Sequence, residues 1–154
     1  MSDEATSGPA EERAEPTLAG YGARALGFFI DLLPAWVVVG GIAGLVHLTP
    51  AAGLSLILLG WGFYNFGFLW YLQGQTPGMR VVGLLAVDEA TGETPTVAQF
   101  AARSAAATLI FAATMLGTIG LLGPAADLLW ANWDRRSQTL HDKMGRTVVL
   151  KVAR

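Results

Sequence analysis

Asp31 is the residue of this sequence with the most chemical potential. It directly precedes a stretch, Leu32 to Tyr71, of 40 residues without Asp, Glu, Lys or Arg. A carboxylate within a membrane helix costs about 2.5–3.5 kcal/mol on the insertion scale, so its presence calls for a reason. Arg24 lies seven residues earlier and projects from the same helix face, although a rise of about 10 Å separates the two. Two readings follow. Asp31 is an ion or proton site tuned by Arg24, or the two form a buried structural pair that locks their helix to its neighbours. Asp127, near the end of a second apolar stretch, either faces Asp31 across a bundle or rests at the interface. Asn65 is expected to hydrogen-bond between helices.

His141-Asp142 is a fragment of a metal-binding pattern, but the other histidine, His47, is expected at the opposite membrane face. No metal site and no cofactor are therefore expected. A local role suits Asp142 better, accepting backbone N–H groups or pairing with Arg80 or Arg146. GxxxxGK[ST], HExxH and GxSxG are absent. With no nucleophile–base set either, the chain is not expected to be an enzyme.

The elements that carry these residues are set by hydropathy. Hydrophobic residues make up 53% and charged residues 14%, against roughly 25% charged in soluble domains. A second stretch without charge, Ser104 to Ala126, has 23 residues. About 20 apolar residues cross a bilayer core of about 30 Å, and both stretches are apolar all round rather than on one face. The expected fold is an all-α membrane protein. One helix runs from Tyr21 to about Leu48, and a second from about Ala51 to Leu72 after a turn at Thr49-Pro50. Gly40 and Gly44 form a GxxxG spacing suited to helix packing.

Pro77-Gly78 fits the middle of a type II turn. Arg80 to Asp88 reads as a strand ended at Thr91-Gly92, and Thr96 with Gln99 as a capping box for a helix from Val97. Gly117, Gly120, Gly123 and Pro124 interrupt the next apolar segment. It is either a single span or a hairpin of two short helices of about 12–14 residues. The hairpin is favoured, because it keeps all charged segments on one side. A polar helix from Asp134 to Met144, stopped by Gly145, leads to a second strand, Thr147 to Val152, and the two strands form a small cytoplasmic element.

Five of the twelve acids lie in the first 16 residues and six of the ten bases in the last 20. Residues 1–17 read as a disordered acidic tail and 18–154 as the membrane domain. The base-free turn at Thr49-Pro50 is expected outside and the N-terminus in the cytoplasm. The basic C-terminal segment suits anionic lipid headgroups; nucleic acid is not an expected partner.

Three blocks carry a resemblance: YGARALGFFID (21–31), GQTPGMRVVGLLAVD (74–88) and QTLHDKMGRTVVLK (138–151). In this order the chain resembles the RDD family of small bacterial membrane proteins, named for one Arg and two Asp. Arg24 matches the Arg and Asp31 the first Asp. Asp142 matches the second, with Asp127 the alternative. The resemblance implies a bacterial inner membrane protein, for which transport is the usual proposal. Four short segments are too few for a conventional transporter, so that role implies a homo-oligomer. The competing expectation is a non-catalytic accessory or scaffold protein that docks a partner.

Overall fold

A computed structural model describes residues 17–152, apart from the side chains of Ala35 and Met115. The chain opens with a short strand, β1 (Thr17–Leu18), then α1 (Tyr21–Leu45) and α2 (Pro50–Tyr71). Thr17, grouped with the tail above, is thus the first residue of a strand; the rest of that tail lies outside the described residues. At 1.5 Å per residue the two helices are about 37 and 33 Å long, enough to cross a bilayer. α1 ends three residues before Leu48 because His47 takes a left-handed φ of 53°. Thr49 then caps α2, its Oγ1 accepting from the Ala52 N–H at 3.3 Å, and Pro50 fills the first turn, where no amide donor is needed.

The distribution of polarity is inverted relative to a soluble domain. Leu33, Val37 and Phe63 are 68%, 65% and 75% exposed, while Arg24, Asp31, Arg103, Asp127 and Asp142 are buried. Lipid is the medium in which that arrangement is favourable.

The packing seams are not those suggested by GxxxG. No atom lies within 4 Å of a Cβ built on Gly40 or Gly44, and α1 meets α2 instead where Ala43 faces Gly53 and Val39 faces Gly60. Gly62 brings α2 against α4, where an added Cβ would meet Thr108 Oγ1 at 2.9 Å.

α3 (Pro77–Val81) replaces the expected type II turn. Proline suits the first position of a helix as well as a turn. Here Thr76 decides between them, its Oγ1 accepting from the Met79 N–H at 3.2 Å. The helix consumes the start of the expected strand, so β2 covers only Leu84–Asp88, entered through Gly83 at φ 70°. It ends at the expected turn, with the Asp88 carboxylate accepting from the Ala90 and Thr91 N–H groups and Gly92 at φ 73°.

α4 (Val97–Ala112) starts with the Thr96–Gln99 capping box. A 3-10 segment, Ala113–Leu121, breaks at Leu116–Gly117, where Gly117 has φ 73°, and α5 (Leu122–Trp130) follows. The apolar run therefore folds back on itself. The expected polar helix 134–144 shrinks to α6 (Leu140–Met144). Asp134 Oδ1 accepts from the Arg136 and Gln138 N–H groups and holds the preceding residues in a turn, with Ser137 at φ 50°. β3 (Thr147–Lys151) completes an antiparallel sheet in the order β1-β3-β2, with Leu85 opposite Leu150 and Val87 opposite Val148. The element expected to have two strands thus has three. Its buried face, Ala19, Leu84, Ala86 and Val149, packs with Leu69, Met79 and Phe100 to form a cap at one end of the helices.

Candidate functional site

Asp142 is the centre of the polar structure, with no exposed surface. The short helix α6 presents it through a capping box in which Thr139 Oγ1 accepts from the Asp142 N–H while Asp142 Oδ2 accepts from the Thr139 N–H at 3.0 Å. Arg24 Nη1 donates to the same Oδ2 at 2.6 Å, and Arg103 Nη1 pairs with Oδ1. Arg103 also donates to Thr147 Oγ1 at 2.8 Å, and Arg24 Nε to the Ala19 carbonyl at 3.2 Å. Gly145 permits this approach. A Cβ there would meet the Arg103 Cβ at 2.7 Å, so α6 could not lie as close to α4.

Arg24 therefore partners Asp142 and not Asp31, and the Asp142 partners are Arg24 and Arg103 rather than Arg80 or Arg146. The backbone contact expected of Asp142 is present. Removing one member of such a buried set leaves an uncompensated charge, at about 3–5 kcal/mol.

Asp31 is held by three neutral donors. Tyr64 on α2 donates its hydroxyl to Oδ1 at 2.8 Å, the Gly78 N–H donates to Oδ1 at 2.7 Å, and Thr76 Oγ1 donates to Oδ2. The carboxylate thus caps the start of α3 from a distance, where free N–H groups favour negative charge. Gly27 and Gly78 make the contact possible, since a Cβ on Gly78 would overlap the Gly27 carbonyl oxygen and the Asp31 carboxyl group. Gly27 and Asp31 are four residues apart and share the face of α1 that receives α3.

Asp127 is bound to α6 rather than to Asp31. Its Oδ1 accepts from the His141 N–H at 3.0 Å and its Oδ2 lies 2.7 Å from His141 Nδ1. The His141 ring also touches Thr139 Oγ1, and its Nε2 is 3.7 Å from Asp142 Oδ1. Burial pushes the His141 pKa below its ordinary value; the Arg103 and Arg24 charges add to this, and Asp127 opposes it. The neutral ring donates from Nδ1 to Asp127. Asn65 makes no bridge between helices: its side chain donates to the Trp61 carbonyl one turn back, at 3.0 Å.

These groups converge on a cavity of about 490 Å³ between α1, α2, α4 and α5. Its polar end holds Arg24, Asp31, Arg103, Asp127 and His141, and its walls include Phe28, Trp61, Ile110 and Phe111. Phe28 stands edge-on to Trp61 at 5.6 Å between ring centroids. Among the described residues no cluster of three or more His, Cys, Asp or Glu has the geometry to hold a metal ion.

Arg24, Asp31, Asp127 and Asp142 could be singled out from sequence. Arg103, Thr76, Tyr64 and Ser104 were missed. The signal for Arg103 was its position as the last charge before a charge-free run; Thr76 lay inside the GQTPG block. Neither revealed a partner so distant in the chain. The model of the RDD family matches residues 18–146 of this sequence. No curated protein and no solved structure matches it.

Proposed function

Because this chain belongs to the RDD family, a membrane family with two apolar helices of spanning length here, we propose that it is a multi-pass transport protein of the bacterial inner membrane. In this reading the cavity between α1, α2, α4 and α5 is its binding chamber. The observation that carries the proposal is the Asp127–His141 pair, a proton-exchanging couple that lines the cavity beside Asp31. An acid and a base in contact within a space walled off by apolar helices can exchange a proton as a charged solute enters or leaves. Asp31, bound by three donors, acts as the fastening of α3 rather than as the coupling site.

α1 and α2 cross the bilayer in this reading, while α4 and α5 enter and return. Arg103 and Asp127 lie near opposite ends of the apolar run, yet both reach α6, which supports the return. The cap and the N-terminus lie in the cytoplasm, where the bases of the C-terminal segment meet anionic headgroups. Two spans and one hairpin are too few to enclose a pathway, so the working unit is a homo-oligomer.

The test is flux. Wild type and Asp127→Asn, each reconstituted in liposomes, are followed by internal pH under imposed proton and sodium gradients. Wild type is expected to move ions above empty liposomes, and the folded variant to lose at least tenfold in rate. If wild type is silent, the transport reading is wrong.

A second reading has its own support. Arg24, Arg103, Asp31 and Asp142 direct their bonds to the cap, as expected of an accessory protein whose charges fix a docking domain. Partners caught by crosslinking from Ala90, together with silent liposomes, would favour it.

A further inference from the structure

The polar end of the cavity has donors to spare. Arg24 uses Nε and Nη1, but its Nη2 has no partner, and neither does Ser104 Oγ. Arg24 is 7% exposed and Ser104 4%, and both line the cavity. A buried donor without an acceptor costs about 1–3 kcal/mol, so an acceptor is expected beside these two. The walls are of opposite character. Phe28 lies one turn beyond Arg24 on α1, and Ile110 and Phe111 lie nearly two turns beyond Ser104 on α4. Polarity therefore falls with distance from the cap, in the same sense as through one leaflet of a bilayer.

We propose that the cavity binds a long-chain carboxylate, its head accepting hydrogen bonds from Arg24 Nη2 and Ser104 Oγ and its chain lying among Phe28, Trp61, Ile110 and Phe111. The inference rests on the reading of this cavity as a binding chamber, and it names the class of ligand. Two cations, Arg24 and Arg103, already stand against two anions, Asp127 and Asp142. An added carboxylate leaves one negative charge in excess. His141, which faces Asp127, Asp142, Arg103 and Arg24, restores the balance by taking a proton on its ring. Binding therefore takes up about one proton.

The experiment is calorimetric titration of the full chain in non-ionic detergent with oleate, oleyl alcohol, acetate, inorganic phosphate and a lysophospholipid. Two buffers of different ionisation enthalpy count the protons. Oleate is expected to bind more tightly than the other four. Ser104→Ala, which removes an unpartnered hydroxyl and leaves the fold intact, is expected to weaken it about tenfold. Ala107→Phe, which fills the cavity, is expected to abolish binding, and His141→Gln to remove the proton uptake.

Oleyl alcohol binding as well as oleate, or a silent Ser104→Ala, would overturn the head site. Acetate or phosphate equal to oleate would overturn the role of the chain, and a preferred lysophospholipid would overturn the carboxylate. Oleate binding without ion flux would remove the transport reading and leave this site standing. Flux without oleate binding would remove this inference alone.

Discussion

At the scale of single residues, the two aspartates of the family name have different work. Asp142 neutralises two buried arginines, whereas Asp31 receives three neutral donors. Asp142→Asn is therefore expected to cost about 3–5 kcal/mol, and Asp31→Asn about 1–3 kcal/mol, since an amide turns one donor toward donors. Unfolding of both variants in detergent checks the order; equal losses would contradict it. Acid should act in two stages. His141 binds a proton less readily folded than unfolded, so stability falls as pH drops below about 6.5, its unfolded value. The Gln99 amide and nearby backbone N–H groups hold Asp88 down to about 2, so its contribution is full above about 3.8 and is lost as pH falls toward 2. Melting temperature against pH should show the first stage in wild type and lose it in His141→Gln. The sequence revealed that these residues mattered but not how they paired. Arg24 and Asp31 share a helix face and suggested each other, while the actual partner of Arg24 lies 118 residues away.

At the scale of elements, local signals were legible where the deciding contacts were also local. The Thr96–Gln99 box spans three residues and marked the start of α4. Pro77-Gly78 misled because a proline suits both a turn and a helix start, and the competing cap was a single threonine. The stretch after Asp134 looked helical until its carboxylate took two backbone N–H groups into a turn. Glycine spacing along α1 gave the wrong seam because pattern does not reveal which face meets a neighbour. Two substitutions probe this. Gly78→Ala is expected to lose about 1–3 kcal/mol, as α1 and α3 are forced apart. Gly40→Ala meets open space and should leave the protomer as stable or up to about 1 kcal/mol more so. Thermal unfolding separates the two, and the oligomer size of Gly40→Ala reports whether that face seats another copy.

For the whole molecule, the apolar composition disclosed a membrane protein, and the broken second run disclosed a chain that turns back. The sequence contains no cysteine, so single replacements label cleanly. Cysteines at Ala90 and Lys151 are expected to react with an impermeant maleimide from one side of the membrane, and at Thr49 from the other. Labelling of Ala90 and Lys151 from opposite sides would mean that the second run crosses once. The third strand of the cap was hidden because Thr17 and Leu18 have no strand signature of their own; they pair only because Lys151 and Leu150 offer an edge.

The Arg24–Asp142 contact also has a place in time. At about 5–20 residues per second, a ribosome adds the 118 residues between them in roughly 6–24 s. Throughout that interval two arginines wait at the membrane without the carboxylate that will neutralise them. A chain halted before α6 would keep them bare, so its own charge would mark it as unfinished, and the last helix to be made would act as the signal of completion.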